Sequence, residues 1–346
     1  MNARLPRRLL TAVIAAVLLG STGCTGDANP NTSPSGGLTK VTVLTAIRIQ
    51  GQDAPWAVGE AKGFFRERGI DLTIVAGQGT GDNIAALESG AAQFVIADLN
   101  ALALIYDGRL NQDPRAQAPW VGIAAIYQQT ISAIAAHPDA GITTVNDLEG
   151  KTVGYQEGGV NKTLFPAVAG QTGVDDNAIK WVPLGDLRGA LVSRKVDAVT
   201  DNVTGIPVLR RKLGGREPVM LTYSTWLTDG YSNTWTTSRD LLARDPDLVR
   251  RFRDAAMESL VYAIDHPGEA ADALAAAEPT YDRDTAAEEI TKLRPYVYGA
   301  DGVGTITGPR FNRGIASMAA IGVLKHQSEI TVDSLVDPTI AVPYTP

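Results

Sequence analysis

The strongest constraint on this chain of 346 residues is a strand–helix alternation that runs twice and is joined by two adjacent extended runs. Residues 40–47 are β-rich, and Ala57, Val58, Ala61, Phe64 and Phe65 then recur at helical spacing until Gly69. Residues 70–75 read as a strand, Asp82 as the cap of a helix running to Glu88, and residues 94–97 as a third strand. Residues 121–127 and 131–136 are two strands split only by Gln128, Gln129 and Thr130. A second series follows, with strands predicted at 152–155, 179–182, 197–201 and 219–223 and helices at 162–171, 187–194 and 206–213. Residues 231–237 read as an extended segment returning to the first series. From Ser238 the pattern is helical, with Asp245 capping and Pro246 opening a long helix whose face carries Leu248, Val249, Phe252, Ala256, Leu260 and Ala263. The remaining helices are predicted at 269–276, 285–292 and 311–323. Such alternation predicts parallel sheets flanked by helices, here in two lobes around a cleft. Ligands bind such sheets at the carboxyl ends of strands.

The amino terminus sets the compartment. Arg4, Arg7 and Arg8 precede an uncharged apolar run over residues 9–19, then the small residues Gly20 to Gly23, then Cys24. That is the pattern of a secretory signal peptide over residues 1–23, and the run is too short to cross a bilayer, which takes about 20 residues. Cys24 is the only cysteine, so no intramolecular disulfide can form. Its setting resembles the lipobox of bacterial lipoproteins, with Ser21 where leucine is usual; the resemblance implies a lipid on Cys24 and a place on the extracytoplasmic face of the cell membrane. Residues 24–39 are rich in Gly, Pro, Ser, Thr and Asn and read as a flexible tether. The net charge of −7 becomes −10 once the three leader arginines are removed. With no basic patch in the chain, no nucleic-acid partner is expected.

Enzyme chemistry has little to work with. The histidines are His137, His266 and His326, and none stands near another at metal-ligand spacing. There is no Gly-x-Ser-x-Gly elbow and no phosphate loop. Residues 77–81 lack the spacing of a dinucleotide fingerprint. Glu288 and Glu289 read as an exposed pair. No cofactor, no metal and no catalysis are expected.

Four stretches carry a family resemblance: Ala54-Pro-Trp-Ala-Val-Gly-Glu-Ala-Lys-Gly-Phe-Phe65 with Gly69-Ile-Asp-Leu72; Ala86-Leu-Glu-Ser-Gly90 with Phe94-Val-Ile-Ala-Asp98; Asp147-Leu-Glu-Gly-Lys-Thr-Val-Gly154; and Leu191-Val-Ser-Arg-Lys-Val-Asp-Ala198. Together, over residues 40–300, they resemble type II periplasmic binding proteins, in the branch of sulfonate, nitrate and thiamine-precursor (hydroxymethylpyrimidine) binders. The resemblance implies an α/β fold of two lobes with a hinge and an interlobe cleft. Lobe 1 is expected at 40–128 plus 233–346, and lobe 2 at 129–232. It also implies a monomer that captures a small molecule for a membrane ABC permease. A sensor for a membrane receptor and an enzyme of pyrimidine synthesis are the rival readings.

The ligand contacts implied at matching loops are Asn83 and Asp98 in the first lobe, Tyr127 and Gln128 at the crossover, Gly158, Gly159 and Asn161 at a helix start, and Asn202, Tyr231 and Asn233. Trp56, at the start of the first helix, either stacks on a flat ligand or fastens the helix to the sheet. Tyr155, Trp235 and Asp201 are further candidates. Arg48 and the glycine-rich helix start could instead hold a sulfonate or similar anion. Residues 47–53 lack the Trp and His usual in hydroxymethylpyrimidine binders, which puts that ligand in question and leaves a related heterocycle as the first choice.

Overall fold

The computed structural model describes residues 37–47, 49–157 and 159–345. The leader, Cys24 and most of the tether lie outside the described residues, as do Arg48 and Gly158.

Two five-stranded sheets organise the chain. The first comprises β1 (Thr39–Leu44), β2 (Ile70–Val75), β3 (Phe94–Asp98), β4 (Trp120–Ala125) and β10 (Asn233–Ser238). Its order is β2-β1-β3-β10-β4. The second comprises β5 (Ser132–Ala136), β6 (Thr152–Tyr155), β7 (Lys180–Pro183), β8 (Ala198–Asn202) and β9 (Val219–Thr222), in the order β7-β6-β8-β5-β9.

The two sheets follow one plan. In each, four strands run one way and a single antiparallel strand is inserted beside the third. In the first sheet β10 enters between β3 and β4; in the second β5 enters between β8 and β9. The sheets are therefore mixed, which corrects the expectation of purely parallel ones. The return of the 231–237 segment to the first series stands.

Burial explains the composition of the strands. Every residue of β3, β4 and β5 is buried, so they read as continuous apolar runs without alternation. The helix Pro246–Asp265 covers the first sheet with the predicted face, all six of its residues buried. Its first turn is closed by Asp245 Oδ1, which accepts from the Leu248 N–H at 2.9 Å. The rings of Phe252 and Phe94 stack with centroids 3.6 Å apart.

Three local corrections follow. The helical run at 54–67 is broken at Gly63, which takes φ +83° as a left-handed cap between Ala54–Lys62 and Phe64–Glu67. The helix predicted from Asp82 begins at Thr80 with Gly79 at its cap, and Asp82 lies in its first turn. The helix Leu99–Leu110 was not foreseen; Asp98 caps it, accepting from the N–H groups of Asn100 and Ala101.

Candidate functional site

A recess opens at the carboxyl end of β1, beneath the amino terminus of the helix Ala54–Lys62. Its polar lining is Gln52, Asp53, Tyr127 and Asn233, with the rings of Trp56 and Trp235 and an aliphatic floor that includes Ile96 and Leu260. The residues come from four places: the 3-10 turn Gly51–Asp53, the helix it feeds, the crossing after β4, and β10. Local chemistry explains each. Pro55 sits in the first turn of the helix, where a missing N–H costs nothing. A register shift between Trp235 and Thr236, where β10 pairs with β4, lies at the indole of the recess, as bulges near sites commonly do. Trp56 packs edge-on to Trp235 with centroids 6.1 Å apart and also meets Phe65 and Phe252. Trp56 thus fastens the helix to the sheet and presents a ring to the recess. The space left for the centre of a water molecule is about 20 Å³, room for about one water.

The electrostatics are unusual for a buried surface. Asp53 is 3% exposed. Among the described residues its Oδ2 accepts only from the Gln50 N–H, at 2.9 Å. Burial, with a contribution from the Glu289 carboxyl, pushes Asp53 up to about 8. Glu289 itself, predicted exposed, is wholly buried. It comes from the helix Arg283–Val297, which packs against the Gly51–Asp53 turn. Its Oε2 accepts from the Gly51 N–H and from the Tyr281 hydroxyl, both at 2.7 Å. Burial pushes Glu289 up to about 7, against the pull of those bonds and of Arg188. Gly51 is required by this approach, since a Cβ there would stand 2.3 Å from Glu289 Oε2. The Tyr127 hydroxyl is raised by burial and by the Asp53 and Glu289 carboxyls.

The second α/β series brings charged groups close to Glu289. Arg188 donates bidentately to Asp201, Nε to Oδ2 at 2.8 Å and Nη2 to Oδ1 at 2.7 Å. Burial works against the Arg188 charge, and the Asp201 carboxylate outweighs it. Arg210 pairs with Glu288, and Arg211 with Asp282 at 2.5 Å, linking the helix Ile206–Lys212 of the second series to the helix Arg283–Val297 and its amino-terminal cap. Among the described residues four buried side-chain atoms in this region have no hydrogen-bond partner: Gln52 Oε1, Trp235 Nε1, Thr204 Oγ1 and Glu289 Oε1.

Of the residues singled out in the sequence, Trp56, Tyr127, Asn233 and Trp235 come together at the recess. Asn83 lies behind it with its amide engaged: Nδ2 donates to the Thr45 and Ile96 carbonyls, each at 2.8 Å, and Oδ1 accepts from Gln78 N–H. Asp98, besides capping a helix, accepts from the Ser232 hydroxyl at 3.1 Å. Gln128 is held in the crossing by the Thr305 carbonyl, to which its Nε2 donates at 3.1 Å. Tyr231 accepts from the Thr307 N–H at 2.9 Å and lies under the Arg310 guanidinium. Gly159, Asn161 and Asn202 gather at the carboxyl ends of the second sheet's strands. There the Asn161 Nδ2 donates to the Asp201 carbonyl at 2.7 Å and to Asn202 Oδ1 at 3.3 Å.

Gln52, Asp53, Arg188 and Glu289 were missed. For Glu289 a signal existed: Ala286, Ile290, Leu293 and Val297 are spaced at 3–4 residues, and Glu289 falls on their face. For Asp53 the cue was a polar turn placed directly between strand one and a proline-opened helix.

The comparisons with known proteins agree with this architecture. The chain is 24% identical over 248 residues to the riboflavin-binding protein RibY of Chloroflexus aurantiacus, covering 70% of this chain and 67% of that one. It is 23% identical over 216 residues to the formylaminopyrimidine-binding protein of Halalkalibacterium halodurans, covering 61% and 62%. The chain spans about half to two thirds of the length of the curated relatives it matches. Among solved structures, the periplasmic aliphatic sulphonate binding protein SsuA from Escherichia coli superposes with a TM-score of 0.68 at 12% identity, covering 87% of this chain and 98% of that one. The fold is therefore that of the two-lobed periplasmic binding proteins. Residues 50–270 match the model of one sequence family over more than half of the chain, and the protein belongs to the NMT1/THI5-like family.

Proposed function

We propose that this protein is the extracytoplasmic solute-binding component of an ABC importer, not an enzyme, and that it captures a small heterocyclic, pyrimidine- or thiamine-precursor-like solute between its two lobes. The observation that carries the reading is the recess itself. Two tryptophans and a tyrosine surround polar atoms that have no internal partner, at the strand ends where α/β sheets bind ligands. Aromatic faces suit a flat ring. The names of the two curated relatives, one for riboflavin and one for a formylaminopyrimidine, support the same class. The sulfonate reading draws on Arg48 and on the helix start at 158–161, and no cationic side chain is among the described residues that line the recess.

The recess has room for about one water, so in this reading a solute enters only when the lobes open and the recess widens. The hinge of this proposal lies at residues 128–130 and 232–235, where the chain crosses between sheets. The Arg210–Glu288 and Arg211–Asp282 pairs latch the closed form. The closed form docks on the permease, and a lipid on Cys24 keeps the monomer at the membrane. Thermal-shift measurement with riboflavin, formylaminopyrimidine, thiamine, taurine and nitrate tests the ligand class. Ligand at about a hundredfold excess over Kd stabilises by about 2.7 kcal/mol. A shift with the sulfonate or nitrate alone would overturn the heterocycle reading.

A further inference from the structure

The two crossings between the sheets meet each other and are gripped from outside. The Ser232 N–H donates to the Tyr127 carbonyl at 3.3 Å, and the Ile126 N–H donates to the Asn233 carbonyl at 2.8 Å. Gln128 lies wholly buried in the first crossing, and a distant segment takes its polar groups. Its N–H donates to the Tyr296 carbonyl at 2.6 Å, and its Nε2 donates to the Thr305 carbonyl at 3.1 Å. Its carbonyl accepts from Arg310 Nη2, and its Oε1 accepts from Arg310 Nη1 at 3.4 Å. Gly299 permits the approach, since a Cβ there would stand 2.9 Å from Gln128 Cβ. In the second crossing the Tyr231 hydroxyl accepts from the Thr307 N–H at 2.9 Å, and the Arg310 guanidinium lies over the Tyr231 ring, 4.4 Å from its centroid. One side chain, Arg310, therefore touches both crossings.

The same segment goes on to the second series. It enters the helix Gly308–Ala320, whose Gly314 rests against the second crossing: a Cβ there would stand 3.4 Å from the Asp229 carbonyl oxygen. Just past that helix, Ile321 reaches the helix Val160–Thr172, where a Cβ on Gly170 would stand 3.0 Å from Ile321 Cγ2. Further on, the chain is fixed to the first series. Asp107 Oδ1 accepts from the Lys325 and His326 N–H groups, each at 2.8 Å, and Arg239 Nη2 donates to the Asp333 and Ser334 carbonyls, each at 2.9 Å. A hinge opens by φ and ψ changes at a few residues. Gln128, bonded at both its N–H and its carbonyl, cannot turn without breaking those bonds. We infer that Arg310 is the positioning residue of the hinge, tying the two crossings into one unit, and that residues 296–321 form a strap that resists opening.

Arginine suits this place as lysine would not. Its planar fork reaches two oxygens of Gln128 while its face lies on a ring, and a single ammonium cannot do both. Bonds from a charged donor are among the stronger ones, and the Arg310 side chain is only 12% exposed, with the Asp301 carboxylate 3.6 Å away to offset its charge. Arg310 does not line the recess, but the residues it holds adjoin Tyr127 and Asn233, which do. It therefore acts on a solute through the motion of the lobes and not by contact. Residues 296–321 lie beyond the 50–270 stretch that matches the family model, so the strap belongs to the carboxyl-terminal region of this chain. The inference rests on the hinge placed at these crossings under the proposed function and deepens it by naming what sets the hinge's stiffness.

Hydrogen–deuterium exchange of the empty full chain, read on peptides spanning residues 126–131 and 226–232, tests the strap without any solute. The variants are Arg310→Lys, which keeps the charge and loses the fork, and Arg310→Ala, with urea unfolding to show that each folds. Loss of hydrogen bonds from a charged donor should speed exchange at both crossings by about tenfold to about a hundredfold, with β3 and β6 unchanged. Unchanged exchange at either crossing in a folded variant, or equal acceleration in β3 and β6, would overturn the inference. Riboflavin is the probe for a second arm. In stopped flow its off-rate from the Arg310→Lys protein should rise by about tenfold, while its association rate changes by less than about threefold. An off-rate that does not change would overturn the role of the strap in solute release. Acceleration confined to the crossings, with no riboflavin binding to the unaltered protein, would uphold the strap and count against the proposed solute class alone.

Discussion

Replacing Asp53 by Asn should make the empty protein more stable at alkaline pH. The unfolded carboxyl ionises near its ordinary value of 3.8, whereas the folded one keeps its proton up to about 8. Between those values the folded state binds more protons than the unfolded state, so stability falls as pH rises. Each pH unit in the window costs about 1.36 kcal/mol for one proton. From about pH 5 to about pH 8 the unaltered protein should therefore lose at most about 4 kcal/mol through this group. An amide cannot ionise, and its carbonyl oxygen can still accept the Gln50 N–H. The gain from the substitution should be about 1–2 kcal/mol near pH 5 and rise by at most about 4 kcal/mol more by about pH 8. Glu289, raised to about 7 by burial, leaves a residual slope in the variant. Urea unfolding at several pH values measures both curves. Parallel pH slopes, or a variant less stable than the parent at pH 8, would refute the reasoning.

Three further substitutions probe the same region. Gly51→Ala brings a methyl group to 2.3 Å from Glu289 Oε2 and should cost about 1–3 kcal/mol in urea unfolding, with solute affinity falling in parallel. Trp235→Phe removes the unpartnered N–H but also half of a buried indole packed on Trp56; the empty protein should lose about 1–3 kcal/mol in urea unfolding, and solute binding should weaken by about 1 kcal/mol in titration calorimetry. Arg210→Ala with Arg211→Ala removes two partly exposed interlobe pairs worth at most about 1 kcal/mol each, so the solute off-rate by stopped flow should rise by less than about tenfold per pair.

The fold was legible because its signals are local. Strands 70–75 and 152–155 were placed to the residue, and the face of the helix Pro246–Asp265 followed from spacing alone. The mixed character of the sheets was less visible, since β5 and the Thr-rich β10 are largely buried, as are the parallel strands beside them, and a buried strand carries no mark of direction. The helix Leu99–Leu110 escaped because apolar residues lie on several of its faces and blur the period. Of the residues lining the recess, Trp56 was singled out at the start of the first helix, Trp235 in a crossing segment, and Tyr127 and Asn233 through the family resemblance. Asp53 and Glu289 were not, because their character is set by burial and by each other, across 236 positions of chain. A carboxylate read singly looks solvated. Only the fold shows that two of them share one dry turn.

The inserted strands also dictate an order of assembly. All five strands of the second sheet lie between Ser132 and Thr222, an uninterrupted stretch of chain. The first sheet has a vacancy between β3 and β4 until residues 233–238 arrive, more than a hundred positions after β4. A chain emerging amino end first can finish its later sheet before its earlier one, and the recess, which borrows Asn233 and Trp235 from that last strand, is completed after both. Truncation between Thr222 and Asn233 should therefore leave a folded middle with an unfinished flank, and a slow final phase in refolding should report the docking of β10.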